Sequence, residues 1–132
     1  MDETNLPPLM AEAVIAGFPS PAEQYVETPL DLNAYLIDKP AATFFVRVEG
    51  NSMLNAGILP GDILAVDRSL KPSDGSIVIA CVDNEFTVKY LRHRNGTVLL
   101  EAANPDFDPI KFKAGMELRI FGVVKGVVRK LK

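Results

Sequence analysis

The 132-residue chain has little of what several common kinds of functional site require. It contains one cysteine, Cys81, so it cannot form an intramolecular disulfide, and this suits a reducing compartment. With Cys81 and one histidine, His93, it offers too few ligands for a zinc site, and we expect no metal or other cofactor. Cys81 lies in the apolar run IVIACV, which favours a buried, inert thiol.

The chain also lacks a long apolar segment and an excess of positive charge. No run approaches the ~20 apolar residues of a membrane span, and the acidic start MDETNLPPLM is unlike a signal peptide, so we expect a cytoplasmic protein with no membrane partner. Residues 1–67 carry 2 basic and 10 acidic side chains, and residues 68–132 carry 12 basic and 7 acidic ones. This division argues against direct sequence-specific DNA binding, which needs a concentrated positive face. A few basic residues near the C-terminus are interpreted as a solvated strand end, with contact to nucleic acid or a filament as the alternative: Lys125, Arg129, Lys130 and Lys132.

Length and composition predict one globular domain, 48% apolar and 23% charged, that carries an N-terminal arm. Residues 1–28 have several prolines and little strand periodicity, so we assign them to a flexible arm and residues 29–132 to a β-rich domain. Within the arm, LMAEAVIAG (9–17) predicts one or two helical turns that end at Gly17. A second short helix is predicted in LDLNAYLI (30–37), closed by Pro40.

Strand patterns begin at Thr43. Six segments alternate or form short apolar runs: TFFVRVEG, DILAVD, SIVIACV, EFTVKYLRH, TVLLEA and LRIFGVVKGVVRKL. The fourth and fifth are joined by Arg94-Asn95-Gly96, whose Asn-Gly pair is a strong signal for a two-residue hairpin turn. Short strands at this spacing predict a mainly β fold, a rolled sheet or small barrel.

One strand is interrupted by Gly50-Asn51-Ser52-Met53, and this leaves a single hydroxyl at the break. A turn explains these residue types without any chemistry. Ser52 could instead be a nucleophile, and then it needs a base beside it. The usual base is histidine, but His93 lies beside the hairpin turn, where we expect it to be solvated. The other known base for a serine is a neutral lysine amine.

Lys89 is the one lysine in the middle of an apolar strand, FTVKYL. A buried ammonium is costly, and burial can lower a lysine pKa from about 10.4 by roughly 3 to 5 units, which brings the neutral amine into reach. The alternative places Lys89 on the solvated face of the hairpin, with its stem lying over apolar neighbours. These residues alone leave both alternatives open.

The motifs GNSM, the lysine 37 residues later in EFTVKYL, and the upstream AGFPSPA together resemble the LexA/UmuD-type self-cleaving serine peptidases (S24-like), in particular UmuD and its plasmid-borne homologues. The resemblance extends from about Ile15 to Val124 and includes PAATFFVRVEGNSM, GILPGDILAVDRSL and FGVV. It implies that Ser52 is the nucleophile, that Lys89 is its general base, and that the substrate is the chain's own Ala16-Gly17 bond.

The physical properties of these residues agree with that implication. Ala16 and Gly17 are small enough for their peptide bond to approach a nucleophile closely, and the Met53 N–H is our candidate oxyanion donor, with Gly50 allowing the sharp turn. A helix cap at Gly17 is the alternative reading of that pair. Asp62 and Asp67, in family positions with Gly61, are interpreted as fold residues, with contact to a partner as the alternative.

The resemblance further implies an SOS-response role in DNA damage tolerance. The RecA filament on single-stranded DNA would stimulate self-cleavage, and the trimmed form, a homodimer, would be a subunit of an error-prone Y-family translesion polymerase of the UmuC kind. Sixteen residues before Gly17 are too few for a helix-turn-helix domain, so we expect this role and not that of an operator-binding repressor. The alternatives are a non-catalytic β module that binds a polymerase and a signal-peptidase-like Ser-Lys protease.

Overall fold

The structure, a computed structural model, describes residues 5–11, 13–14, 16–17, 27–112 and 115–132. The chain divides into two compact units, 1–38 and 39–132. In the first, β1 (Pro8–Met10) pairs antiparallel with β2 (Glu27–Pro29), and the short helix α1 (Leu32–Leu36) follows. The Asp31 carboxylate caps α1 by accepting hydrogen bonds from the backbone N–H groups of Asn33 and Ala34.

This first unit corrects one prediction and confirms another. The helical turns predicted over residues 9–17 are wrong, because Leu9 and Met10 pair as strand β1 and the described residues from there to Gly17 belong to no helix. The two prolines before Leu9 favour an extended backbone, and pairing with β2 satisfies the backbone hydrogen-bonding groups of this segment. The helix predicted within residues 30–37 is confirmed as α1, and Pro40 begins a 3₁₀ helix, Pro40–Ala42.

The described residues of the second unit form one antiparallel sheet of seven strands. In chain order they are β3 (Thr43–Arg47), β4 (Ile63–Asp67), β5 (Ile77–Val82), β6 (Glu85–Arg94), β7 (Thr97–Glu101), β8 (Ile110–Lys111) and β9 (Leu118–Val128). Their order across the sheet is β3-β4-β9-β5-β6-β7-β8. The predicted mainly β fold is therefore confirmed, and all six predicted strands are present. The hydrogen-bonded order of the described strands has two ends, so it corresponds to the rolled sheet and not to a closed barrel.

Two tight hairpins position the middle of the sheet. Asn95 and Gly96 have positive φ angles of 52° and 77°, as the predicted Asn-Gly turn between β6 and β7 requires. A second pair of positive φ angles, at Asp83 and Asn84, turns β5 into β6 in register from Val82 opposite Glu85. These two turns set the register of β6, the strand that carries Lys89.

Most of the buried apolar residues in the described part of the chain form two hydrophobic clusters. The first contains Val48, Met53, Ile58, Leu64, Val66 and Ile79, and the second contains Val78, Ala80, Leu91 and Leu100. The first cluster includes residues from the segment between β3 and β4, so that segment is anchored by its own apolar side chains. Cys81 is a free, buried thiol, as its apolar run predicts. No helix in the described part of the chain has the length and hydropathy needed to cross a membrane.

Candidate active site

The serine lies in the connection that leaves β3 and returns to β4. Gly50 has a φ of 81°, a left-handed conformation that glycine adopts at little cost, and the chain turns there before Ser52. Met53, which follows, is 1% exposed and packs in the first hydrophobic cluster. A short 3₁₀ helix, Leu54–Ala56, comes next. Ser52 is thus held between a sharp turn and a buried anchor, and its side chain remains partly exposed.

Lys89 comes from the middle of β6 and meets this serine. Its Nζ lies 3.1 Å from Ser52 Oγ and 2.6 Å from Thr87 Oγ1, and it donates to both oxygens. The lysine is 8% exposed, so the alternative that placed it on a solvated face is wrong. Residues 37 positions apart in the chain therefore form a hydrogen-bonded serine-lysine pair.

The surroundings of Lys89 shift its protonation equilibrium toward the neutral amine. Burial lowers the pKa of its amine below the ordinary lysine value, because removing the ammonium from water costs free energy. None of the ion pairs that the described carboxylates form involves Lys89, so no paired negative charge offsets this effect. When the amine is neutral, it accepts the hydroxyl proton of Ser52, which is the direction of transfer that a general base needs.

A cleft of about 440 Å³ opens beside the pair. The end of β3 and the turn after it form one wall, residues 46–52, and the start of β6 forms the other, residues 86–89. Phe86 and Phe107 contribute exposed aromatic surface to the lining. On one side β3 pairs with β4, and on its other side no described strand pairs with it. Such an edge offers backbone donors and acceptors to an extended peptide.

The segment after β7 supports the serine turn from behind. The Ala103 carbonyl accepts from the Asn55 N–H at 2.8 Å, and the Ala103 N–H donates to Met53 Sδ at 3.4 Å. The side-chain amide of Asn104 donates to the Asn51 carbonyl at 2.9 Å. The residue before Ser52 and the residue after it are both held by this segment.

Beyond the turn, an ion pair between the buried Asp62 and the exposed Arg129 stabilises the return to β4. Asp62 is 1% exposed, and its carboxylate accepts from Arg129 Nε and Nη2, each at 2.6 Å, and from the Leu59 N–H at 2.7 Å. The hydrogen bonds from Arg129 lower the pKa of Asp62 to about 2. Arg129 also donates to the Gly57 carbonyl at 2.9 Å, so this residue is not merely a solvated strand end.

The other residues singled out in the sequence fall into three groups. Asp67 is buried and accepts from Ser69, which agrees with its assignment as a fold residue, as for Asp62. His93 is exposed, as expected. Ala16 and Gly17, in the first unit, are exposed, and Gly17 lacks the positive φ of a left-handed helix cap, so that alternative is not supported. Residues 18–26, with the rest of AGFPSPA, lie outside the described residues.

Sequence reasoning missed Thr87 and Asn104, and it named Arg129 without its contact to Asp62. Thr87 had a detectable signal, since it lies two positions from Lys89 on the same strand and therefore points to the same face. Asn104 precedes a proline, and the residues around it are those of an ordinary turn. Arg129 is one of several basic residues at the C-terminus, and nothing local distinguishes it from its neighbours.

Comparisons with known proteins show which family the chain belongs to. The family model described as Peptidase S24-like matches residues 8–125. Protein ImpA of Escherichia coli is 46% identical over 132 residues, covering 99% of this chain and 89% of ImpA. Protein SamA of Salmonella typhimurium is 49% identical over 125 residues, covering 95% and 86%. The LexA repressor of Shewanella frigidimarina is 40% identical over 128 residues, covering 96% of this chain and 61% of the repressor.

The matched residues include the cleft, the serine turn and the strand that carries Lys89. The matched family is the one that the sequence motifs resemble. The match covers 89% of ImpA and 86% of SamA, whereas it covers only 61% of the repressor. The chain therefore belongs to the Peptidase S24-like family of SOS-response serine peptidases.

Proposed function

We propose that the chain cleaves itself at the Ala16-Gly17 bond with Ser52 as nucleophile and Lys89 as general base. The observation that carries this proposal is the 3.1 Å separation of Lys89 Nζ and Ser52 Oγ in an open cleft. A serine hydroxyl is a weak nucleophile at neutral pH, and a neutral amine within hydrogen-bond reach is a sufficient base. The buried position of Lys89 and its lowered pKa support that role.

The reaction proceeds by acyl transfer. The Lys89 amine takes the proton of Ser52 as Oγ forms a bond to the Ala16 carbonyl carbon, and the carbonyl oxygen becomes an oxyanion. The tetrahedral intermediate collapses, the bond to the Gly17 nitrogen breaks, and the Lys89 ammonium returns the proton to that nitrogen. Lys89 then deprotonates a water, whose oxygen bonds to the acyl carbon. The bond from that carbon to Ser52 Oγ breaks, the Lys89 ammonium returns the proton to Oγ, and residues 1–16 are released.

Two features of the chain suit this reaction. The Met53 carbonyl accepts from the backbone N–H groups of Ala56 and Ile58, and these bonds hold the backbone of the serine turn in place. In this proposal the Met53 N–H is the oxyanion donor. Ala16 and Gly17 are both exposed, and their small size allows their peptide bond to approach a nucleophile closely. The scissile bond belongs either to the same protomer or to its partner in a homodimer.

The proposal includes a cellular role, which membership of the family supports. The RecA filament on single-stranded DNA stimulates the cleavage after DNA damage, in the cytoplasm. The trimmed chain, residues 17–132, then serves as a subunit of an error-prone translesion polymerase of the UmuC kind. The extensive similarity to ImpA and SamA supports this assignment. An activator is expected, because a peptidase that is always competent would leave no intact precursor, and a population shift toward the competent state is enough.

The proposal is tested by mass spectrometry of the purified chain incubated between pH 7 and 10.5. Ser52→Ala and Lys89→Ala are run beside it, with Lys71→Ala, an exposed lysine, as the matched control. We expect the native chain and the control to yield a product beginning at Gly17, faster as alkali deprotonates Lys89, and the two site variants to stay intact.

If no product forms, the incubation is repeated with RecA, ATP and single-stranded DNA. Continued absence of cleavage, or equal cleavage of the Ser52→Ala variant, would refute the Ser52-Lys89 mechanism. The alternative of a non-catalytic polymerase-binding module would then be favoured.

A further inference from the structure

The Asn104 side chain joins two segments that are far apart in the sequence. It is 9% exposed, and its two polar atoms have separate partners. Nδ2 donates to the Asn51 carbonyl at 2.9 Å, and Oδ1 accepts from the Asp106 N–H at 3.0 Å. The donor therefore reaches across 53 residues to the serine turn, while the acceptor organises the local turn after β7.

The contact with Asn51 bears directly on the geometry of Ser52. The Asn51 carbonyl and the Ser52 N–H belong to one planar peptide unit, so a hydrogen bond that holds the carbonyl fixes the orientation of the whole plane. The Ser52 side chain leaves the backbone at the next atom. Since Gly50 precedes this unit in a left-handed conformation, the backbone before Asn51 is the most permissive part of the turn and benefits most from an external constraint.

Asn104 lies in a short segment that makes several hydrogen bonds to the serine turn. Asn55 and Met53 are held by Ala103, one residue before it. The Phe107 N–H donates to the Asn104 carbonyl at 3.2 Å, and Phe107 lines the cleft. The same short segment thus supports the back of the serine turn and contributes to the wall in front of it.

We propose that Asn104 is a positioning residue for Ser52, acting through the amide that it donates to the Asn51 carbonyl. This inference rests on the proposed nucleophilic role of Ser52. The side chain of Asn104 need not touch a substrate, because its effect is exerted on the peptide plane before the nucleophile. A misdirected Oγ loses the short distance and alignment to Lys89 and to a carbonyl carbon on which an efficient attack depends.

Two substitutions separate positioning from local folding. Asn104→Asp retains the oxygen that accepts from Asp106 and replaces the donor by a second acceptor, which repels the Asn51 carbonyl. Asn104→Ala removes both contacts. Asn95→Asp, in the exposed β6–β7 turn, introduces the same charge away from the cleft and is the matched control.

Two rates are measured for each variant: appearance of the Gly17 product between pH 7 and 10.5, and labelling of Ser52 by a fluorophosphonate. Labelling forms an Oγ–P bond and releases fluoride, with the hydroxyl proton taken by Lys89, and it requires no peptide in the cleft. We expect both Asn104 variants to lose at least tenfold in both rates at high pH. The pH midpoint of the Asn104→Ala profile should shift by no more than about one unit, because Lys89 loses at most its longer contact, with Ser52, and keeps its shorter contact, with Thr87.

A purely local folding role gives a different result. Asn104→Asp, with its turn contact intact, would then react as fast as the native chain, and only Asn104→Ala would be slow, in proportion to its loss of thermal stability. That pattern overturns the inference. If the native chain is labelled at Ser52 but not cleaved, the proposed self-cleavage fails and the labelling rates alone decide the role of Asn104. If it is neither labelled nor cleaved, and remains so with RecA, ATP and single-stranded DNA, both proposals are overturned.

Discussion

Replacing Thr87 by valine tests how the structure tunes the proposed base. Valine has nearly the shape of threonine and suits a β-strand, so the substitution removes the hydroxyl with little change in packing. The described oxygens that accept from Lys89 Nζ are Thr87 Oγ1 at 2.6 Å and Ser52 Oγ at 3.1 Å. The variant keeps only the longer of these two contacts.

The magnitude follows from the difference between the two protonation states. A hydrogen bond to a charged group contributes about 1.5 to 3 kcal/mol, whereas one between neutral groups contributes about 0.5 to 1.5 kcal/mol. Loss of the hydroxyl therefore disfavours the ammonium over the amine by about 1.4 kcal/mol, which corresponds to about one pKa unit. We expect the pKa of Lys89, already lowered by burial, to fall further by about that amount.

The two consequences for cleavage have opposite signs. The midpoint of the pH–rate profile should move to lower pH by about one unit, while the rate at high pH should fall about tenfold because the amine has lost part of its orientation. Titration of ¹³C-labelled lysine side chains by NMR gives the pKa independently of activity. Thr97→Val, at the exposed start of β7, is the matched control and should change neither quantity.

An unchanged or raised Lys89 pKa in Thr87→Val would refute this reasoning. It would mean that the Thr87 hydroxyl does not stabilise the ammonium as an acceptor. A lowered pKa with an unchanged maximal rate would retain the electrostatic argument and exclude a role for Thr87 in orienting the amine.

Two further substitutions test the framework around the site. Gly122→Ala should lower the free energy of unfolding in urea by about 1 to 3 kcal/mol, because its Cβ would lie 2.6 Å from Val66 Cγ1; a stability equal to that of the native chain would contradict this packing. Arg129→Ala should lower the urea midpoint at pH 7 more than the control Lys130→Ala, because it leaves the buried Asp62 carboxylate without its cation. The folded-state pKa of Asp62, about 2, lies below its ordinary value of 3.8. Asp62 therefore stabilises the native chain fully above pH 3.8, and this stabilisation is lost as the pH falls toward 2. Equal acid sensitivity of the native and Arg129→Ala chains would exclude the pairing.

Predictions from local patterns succeeded where one strand or turn depends on its own residues. The alternation in TFFVRVEG and the Asn-Gly pair located β3 and the β6–β7 hairpin. They failed for the segment that contains β1, where apolar spacing suggested helix and pairing with residues some 19 positions away produced strand. The two-residue strand β8 was also missed, because it exists only through its pairing with β7.

The amino-acid sequence by itself determined which residues could carry chemistry: a lone serine at a glycine turn, a lysine in an apolar strand, and a family resemblance that spans most of the chain. Only the tertiary structure decided that Lys89 is buried and lies 3.1 Å from Ser52, because burial and distance depend on how separate strands pack. The roles of Thr87, Asn104 and Arg129 likewise come from contacts in the folded chain, two of which span more than 50 residues. Hydrogen bonds between distant segments have no local signature, since each partner alone has the composition of an ordinary strand, turn or tail.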